Sequence, residues 1–225
     1  MLALPAPVAR VLTTTPILKT ALAASGAGWF FFLLNHLYSN LHVFAGRDAL
    51  NDYYEHLKES PAMLWGIRGV LLAGFVVHVG TALVFVRRAA RARSVGYRVT
   101  APQVTTYAAR TMKITGPLVG LYLVYHLAHF TAGVAMPPGT MHDAHDVYGN
   151  MVASFQVPWV AAVYVIANSM LTLHLAHGAK SLLQTLGLKH PSYDAWVGPL
   201  VMGLALAMCA GFVAIPVAVA LGLVR

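Results

Sequence analysis

Charge is scarce in this chain. Only 10% of its 225 residues are Asp, Glu, Lys or Arg, against about a quarter in a soluble domain. No charged residue occurs between Lys19 and Arg47, Arg68 and Arg87, Lys113 and Asp143, Asp146 and Lys180, or Asp194 and Arg225. The long apolar stretches therefore hold no acid, which argues against a transporter built on carboxylates at mid-membrane. Cysteine is almost absent: Cys209 stands alone, which excludes an intrachain disulfide, a cysteine-ligated cluster and a Cys-x-x-Cys-His haem attachment. No glycine-rich dinucleotide fingerprint and no P-loop occurs, so flavin or nucleotide chemistry would have to come from another chain.

What is present is apolar: 58% of the residues are hydrophobic. Each charge-free gap can hold a helix of roughly 20 residues, the length that crosses a bilayer. The sequence predicts an all-α integral membrane bundle, one domain over 1–225, with five transmembrane helices at about 22–44, 69–87, 114–135, 158–180 and 196–222. Pro117 and Pro158 are read near helix starts, where proline is tolerated. The formal net charge of +8 is distributed as a topology signal and not as a nucleic-acid surface. With five spans, one side carries Arg10, Lys19, the 87–113 loop with Arg87, Arg88, Arg91, Arg93 and Arg98, and the 180–195 loop, with Asp194 as its single acid. The other side carries all the remaining acids. The positive-inside rule then puts the N-terminus in the cytoplasm and the C-terminus outside. The arginine cluster suits either a topology anchor touching lipid phosphates or a docking surface for a cytoplasmic partner. Arg10 and Lys19 interrupt the run a signal peptide needs, so the first residues read as a retained cytoplasmic lead-in.

Four of these apolar stretches each contain a histidine near their interior: His36, His78, His126 and His174. A histidine in hydrocarbon is costly and points to function. Two imidazoles, one from each side of the ring, are what a low-spin b haem requires, so four histidines on four helices make two such sites. At about 1.5 Å of rise per residue, His36 and His126 fall toward the outer face, and His78 and His174 toward the inner. Gly74 and Gly80 around His78, Gly116 and Gly120 before His126, and Gly178 after His174 offer either room for a macrocycle or close helix packing. His129, His177 and His42 follow candidate ligands by a few residues. Spacing alone does not choose between neighbours three apart, and hydrogen bonding to a propionate, a carbonyl or interfacial water is the plainer role for all three. His56, His142, His145 and His190 read as solvated loop residues. An internal echo relates Ser25-Gly26 and His36-Leu37 to Thr115-Gly116 and His126-Leu127 at an offset of 90 residues.

Over roughly residues 20–190 the chain resembles the five-helix, dihaem cytochrome b subunit of succinate:quinone oxidoreductases, the succinate dehydrogenase and fumarate reductase group with one large membrane anchor. The resemblance lies in Ser25-Gly26 through Asn35-His36-Leu37, in Gly46-Arg47-Asp48-Ala49-Leu50-Asn51, in Val77-His78-Val79 with its arginine-rich exit, in Thr115-Gly116 to His126-Leu127, and in Trp159 through His174, Gly178 and Gly187. It implies two haem b groups, His36 and His126 ligating the one distal from the soluble subunits and His78 and His174 the proximal one. It implies partners on the cytoplasmic side, a flavoprotein subunit with covalent FAD and an iron–sulfur subunit. A membrane quinone, by family habit menaquinone, would react near the outer face, in a bacterial-type cytoplasmic membrane. Two departures stand out. Thr172 occupies the position of a glutamate linked in some relatives to transmembrane proton movement. Glu55 and Glu59 lie near, but not at, the interval of a glutamate that serves quinone chemistry. Rival readings are a cytochrome b of a hydrogenase, formate dehydrogenase or nitrate reductase, a histidine-lined transporter, or a haem-free anchor.

Overall fold

The computed structural model describes residues 14–92 and 107–225; Arg10, Arg93 and Arg98 lie outside that range. The described residues form seven α-helices: α1 (Thr15–Leu41), α2 (Arg47–Lys58), α3 (Pro61–Arg91), α4 (Tyr107–His126), α5 (Val147–Phe155), α6 (Pro158–Thr185) and α7 (Pro191–Ala220). A 3-10 turn, His42–Ala45, follows α1, and a π-helical turn, Leu127–Thr131, extends α4. No strand occurs among the described residues.

The long helices start and stop for local reasons. α1, α3, α6 and α7 each carry a proline in the first turn, where the missing N–H has no intrahelical partner to lose and the fixed φ suits a helix. α6 and α7 end at Gly187 and Gly222, both at φ +71°. There the N–H of Leu188 reaches the Leu183 carbonyl, and that of Leu223 the Ala218 carbonyl, each at 2.9 Å. These are left-handed glycine stops that satisfy otherwise orphaned carbonyls.

Four helical stretches among the described residues, Thr15–Ala45, Pro61–Arg91, Pro158–Thr185 and Pro191–Ala220, are long and apolar enough to cross a membrane. Their outward faces carry large bare side chains such as Phe31, Val70, Leu72, Ile166, Trp196 and Leu200, a surface suited to lipid and not to water. The expected spans fall on helices, with different ends. The first, second and fifth begin earlier than expected. The third covers 107–131, so 132–135 are not helical. Arg68, Arg110 and Lys113, read as loop charges, sit inside α3 and α4. Pro117 is consequently interior to α4 and not near its start. Its ring removes the N–H that would have reached Lys113, a loss that neighbouring helices make tolerable.

α1 packs against α3, α6 and α7; α6 packs against α1, α4 and α7. At Gly211 the approach of α7 to α1 is close enough that a Cβ would meet Leu37 Cδ1 at 2.9 Å. α1 and α4 are not closely packed on one another, nor are α3 and α6. The apolar core lies at the end where α2, α5 and the C-terminus gather: Val43, Leu50, Met151, Phe155, Val160 and Val219 are among its members.

A polar clasp closes that end. Asp146 pairs with Arg47, accepts from Asn51 Nδ2 at 2.9 Å and caps α5 by accepting from the Gly149 N–H at 2.9 Å. Asn51 Oδ1 accepts from the Tyr148 N–H, and the Tyr148 hydroxyl donates to the Arg225 carbonyl. Burial acts to raise the Asp146 carboxyl, but Asn51, the Gly149 N–H and Arg47 outweigh it and hold the group below its ordinary value. A depressed carboxylate stabilises the fold above its unfolded pKa, and that contribution disappears as the pH falls through the folded one. Asp146→Ala is expected to cost about 1–2 kcal/mol as a lost cap. Thermal melts of both proteins in detergent should differ at neutral pH and converge in acid; equal melts at neutral pH would show the clasp to be idle.

Candidate functional site

The four apolar histidines meet in twos. His36 of α1 faces His126 of α4 with ring centroids 5.8 Å apart and planes at 82°. His78 of α3 faces His174 of α6 at 6.1 Å and 56°. Two imidazoles bound to one iron through Nε2, with metal–nitrogen bonds of about 2 Å, hold their centroids roughly 6 Å apart. Each pair thus spans the distance of a bis-imidazole axis. Each also bridges two helices that are not closely packed on one another, α1 with α4 and α3 with α6, as a flat macrocycle between the rings would require. Among the described residues no three His, Cys, Asp or Glu side chains converge, so the histidines are arranged as pairs.

The surroundings orient the rings. His78 Nδ1 lies 3.3 Å from Ser25 Oγ, whose own proton goes to the Ala21 or Leu22 carbonyl at 2.8 or 3.0 Å. An imidazole that donates from Nδ1 presents a bare Nε2 to a metal. His36 stacks on Phe32 at 5.4 Å; its Nδ1 lies 3.3 Å from the Asn40 side-chain nitrogen, a donor that also reaches the His36 carbonyl at 2.6 Å, so a bare Nε2 on His36 requires the amide to keep only its carbonyl bond. His126 Nδ1 lies 3.3 Å from the Tyr164 hydroxyl. His174 Nδ1 is buried without a partner.

The internal echo acquires a physical meaning here. A Cβ on Gly26 would meet His78 Cε1 at 3.3 Å, and one on Gly116 would meet His174 Cε1 at 3.9 Å. The two echoed glycines therefore seat the rings of the second pair, while the histidines ten residues further along the same helices form the first pair. Ten residues correspond to about 15 Å of helix. This corrects the assignment of Gly116 to His126: the neighbour in sequence is not the neighbour across the bundle. Gly74 lies against Trp29 Nε1 at 3.5 Å and not against His78, whereas no atom comes within 4 Å of a Cβ placed on Gly80, Gly120 or Gly178. The spacing of the rings, the glycine seats and the open flank of Gly120 all fit a b haem held by His36 with His126 and a second held by His78 with His174.

The remaining histidines have other occupations. His129 is fully buried and hydrogen-bonded at both nitrogens, 2.9 Å from the Tyr164 hydroxyl and 2.9 Å from Ser154 Oγ; its partners are hydroxyls, not the propionate, carbonyl or water expected. His42 Nδ1 lies 3.0 Å from the Tyr38 carbonyl, and His142 Nε2 3.1 Å from that of Phe130. His56 lies in α2 and not in a loop, pairing with Glu59 at 3.1 Å. His190 caps α7 by accepting from the Ser192 N–H. His177 is half-buried one turn beyond His174. Thr172 spends its hydroxyl on the Asn168 carbonyl at 2.9 Å.

Glu55 and Glu59 are not brought to either histidine pair. Glu55 accepts from Lys58 Nζ at 2.7 Å and lies 3.1 Å from His145 Nδ1. The Lys58 bond, aided by its charge and by His145, keeps its carboxyl below the ordinary range against a smaller opposing effect of burial. Sequence reasoning did not single out Tyr164, Ser154 or Asn40. A usable signal existed for Tyr164, which precedes His174 by the same ten residues that separate Gly26 from His36. Comparison of the chain with protein-family models, with curated proteins and with solved structures found no match.

Proposed function

We propose that this chain is the membrane-anchor cytochrome b of a succinate:quinone oxidoreductase, binding two b haems and relaying electrons between an iron–sulfur subunit and a membrane quinone. The reading is carried by one observation: four helical histidines meet as two pairs, 5.8 and 6.1 Å between ring centroids, across helices that are not closely packed on one another. A b haem at each pair would supply a one-electron carrier, and the protein's part is to hold, orient and enclose it.

In this reading the bundle crosses the bilayer five times. α4 with its π turn is the span additional to the four long apolar helices, and the N-terminus is cytoplasmic. The exposed Arg87, Arg88 and Arg91 at the end of α3 then face the cytoplasm, where they suit an iron–sulfur and a flavoprotein partner carrying the FAD. His78 and His174 lie toward that side, and His36 and His126 toward the α2 and α5 end. Quinone reduction, of menaquinone by family resemblance, would take place at the latter end and consume protons. Glu55 and Glu59 are acids available there to supply them.

The decisive experiment is a dithionite-reduced minus oxidised absorbance spectrum of the purified chain, with pyridine haemochrome quantification. Two b haems per chain is the expected result. A folded preparation from cells supplied with haem that contains none would overturn the proposal. Co-purification with a succinate-oxidising flavoprotein, and not with a molybdenum or nickel enzyme, would fix the partner.

A further inference from the structure

The geometry points to Tyr164 as the positioning residue of His126, at the head of a buried hydrogen-bond chain running through His129 and Ser154 to Met136. This rests on the two-haem reading. Tyr164 is 4% exposed, and His129 and Ser154 are both at 0%, so no water substitutes for a missing partner. The hydroxyl of Tyr164 lies 3.3 Å from His126 Nδ1 and 2.9 Å from His129 Nδ1. His129 Nε2 lies 2.9 Å from Ser154 Oγ, which donates to Met136 Sδ at 3.9 Å.

A phenol has one proton, so it donates to one imidazole and accepts from the other. If the chain runs outward from His126, its Nδ1–H donates to the Tyr164 oxygen and the Tyr164 O–H donates to His129 Nδ1. The Nε2–H of His129 then donates to Ser154 Oγ, and the Ser154 O–H to the Met136 sulfur. Each hydroxyl accepts once and donates once, His126 Nε2 is left bare, and the chain ends on a thioether that can only accept. In the opposite direction His126 would need its proton on Nε2, the atom that must be bare to bind iron. The outward chain therefore fixes both the tautomer and the ring direction of His126, and successive bonds in a dry interior strengthen one another.

Donation from Nδ1–H increases the electron density at Nε2. That makes the imidazole a stronger ligand and favours oxidised iron. His174, whose Nδ1 has no partner, lacks this support. The two sites are thus built unequally, and removal of the Tyr164 hydroxyl acts on one of them only.

The test is Tyr164→Phe in the full chain purified with its haems. The expected protein binds two haems, with one midpoint potential displaced upward, one low-spin electron paramagnetic resonance signal moved, and the other haem unchanged in both. Ser154→Ala, which breaks the two far links and leaves the Tyr164 bonds in place, should move the same haem by less. Two unchanged potentials and two unchanged signals in Tyr164→Phe overturn the inference, as does equal movement of both haems. Should Tyr164→Phe lose a haem or fail to fold, Ser154→Ala decides. A shift confined to one haem supports the chain, and no shift overturns it. A wild-type protein without haem overturns the underlying reading as well, and the spectrum of that protein separates the two failures.

Discussion

If the chain is the proposed dihaem anchor, His78→Ala is expected to bind one b haem per chain in place of two and, in the proposed complex with its soluble subunits, to lose quinone reduction by succinate on the order of 100-fold or more. The imidazole removed is one end of the 6.1 Å pair. The partner ring would be left buried, with its Nδ1 already unpaired. The haem that survives should still be reduced by dithionite, because His36, His126 and their supporting groups sit on other helices. Succinate oxidation by the soluble subunits with an artificial acceptor should persist, so the loss would be one of connection and not of substrate chemistry. Haemochrome quantification and the two assays on one preparation check this. A full two-haem spectrum in the variant would remove His78 from the ligand set.

Gly26→Leu should reach the same end without touching a ligand. A Cβ at this position already stands 3.3 Å from His78 Cε1, so a bulky side chain is expected to press on the ring. A displacement of about 1 Å is half of a metal–nitrogen bond of about 2 Å, enough to break the axis. The expected protein keeps the haem at His36 and His126 and loses most of the other, while Gly26→Ala loses part of it. Redox titration of both variants beside the wild type would resolve the two haems. Undiminished occupancy in Gly26→Leu would mean that the glycine serves helix packing alone.

The ligand candidates were legible in the sequence because an imidazole in hydrocarbon stands out. His36, His78, His126 and His174 needed only the observation that each lies in a charge-free run. Helix ends were less legible, since a charge marks where lipid stops and not where the helix stops. Arg68, Arg110 and Lys113, which the sequence places between spans, lie within helices, and this moves Pro117 from a helix start to the interior of α4. α2 and α5 were invisible to a search for long apolar runs, because a short amphipathic helix shows its purpose only when Leu50 or Phe155 is seen buried. The second layer of the site was least legible. Tyr164 and Ser154 stand 35 and 25 residues from His129 in sequence, and only the fold makes them neighbours.

The interval from Gly26 to His36, repeated from Gly116 to His126, has a consequence for how this protein can vary. Each helix carries a seat for one site and a ligand for the other, so the residues between them act as a ruler, and the two rulers are equal. Among residues 27–35 the exposed Gly28, Phe31 and Asn35 can change with little effect on either pair, whereas Trp29 and Phe32 pack inward; an inserted residue turns His36 by about 100° relative to Gly26 and is expected to spoil one pair or the other. Across descendants of this chain, the exposed positions of that stretch are free to drift within the limits of lipid solubility, while its length is not.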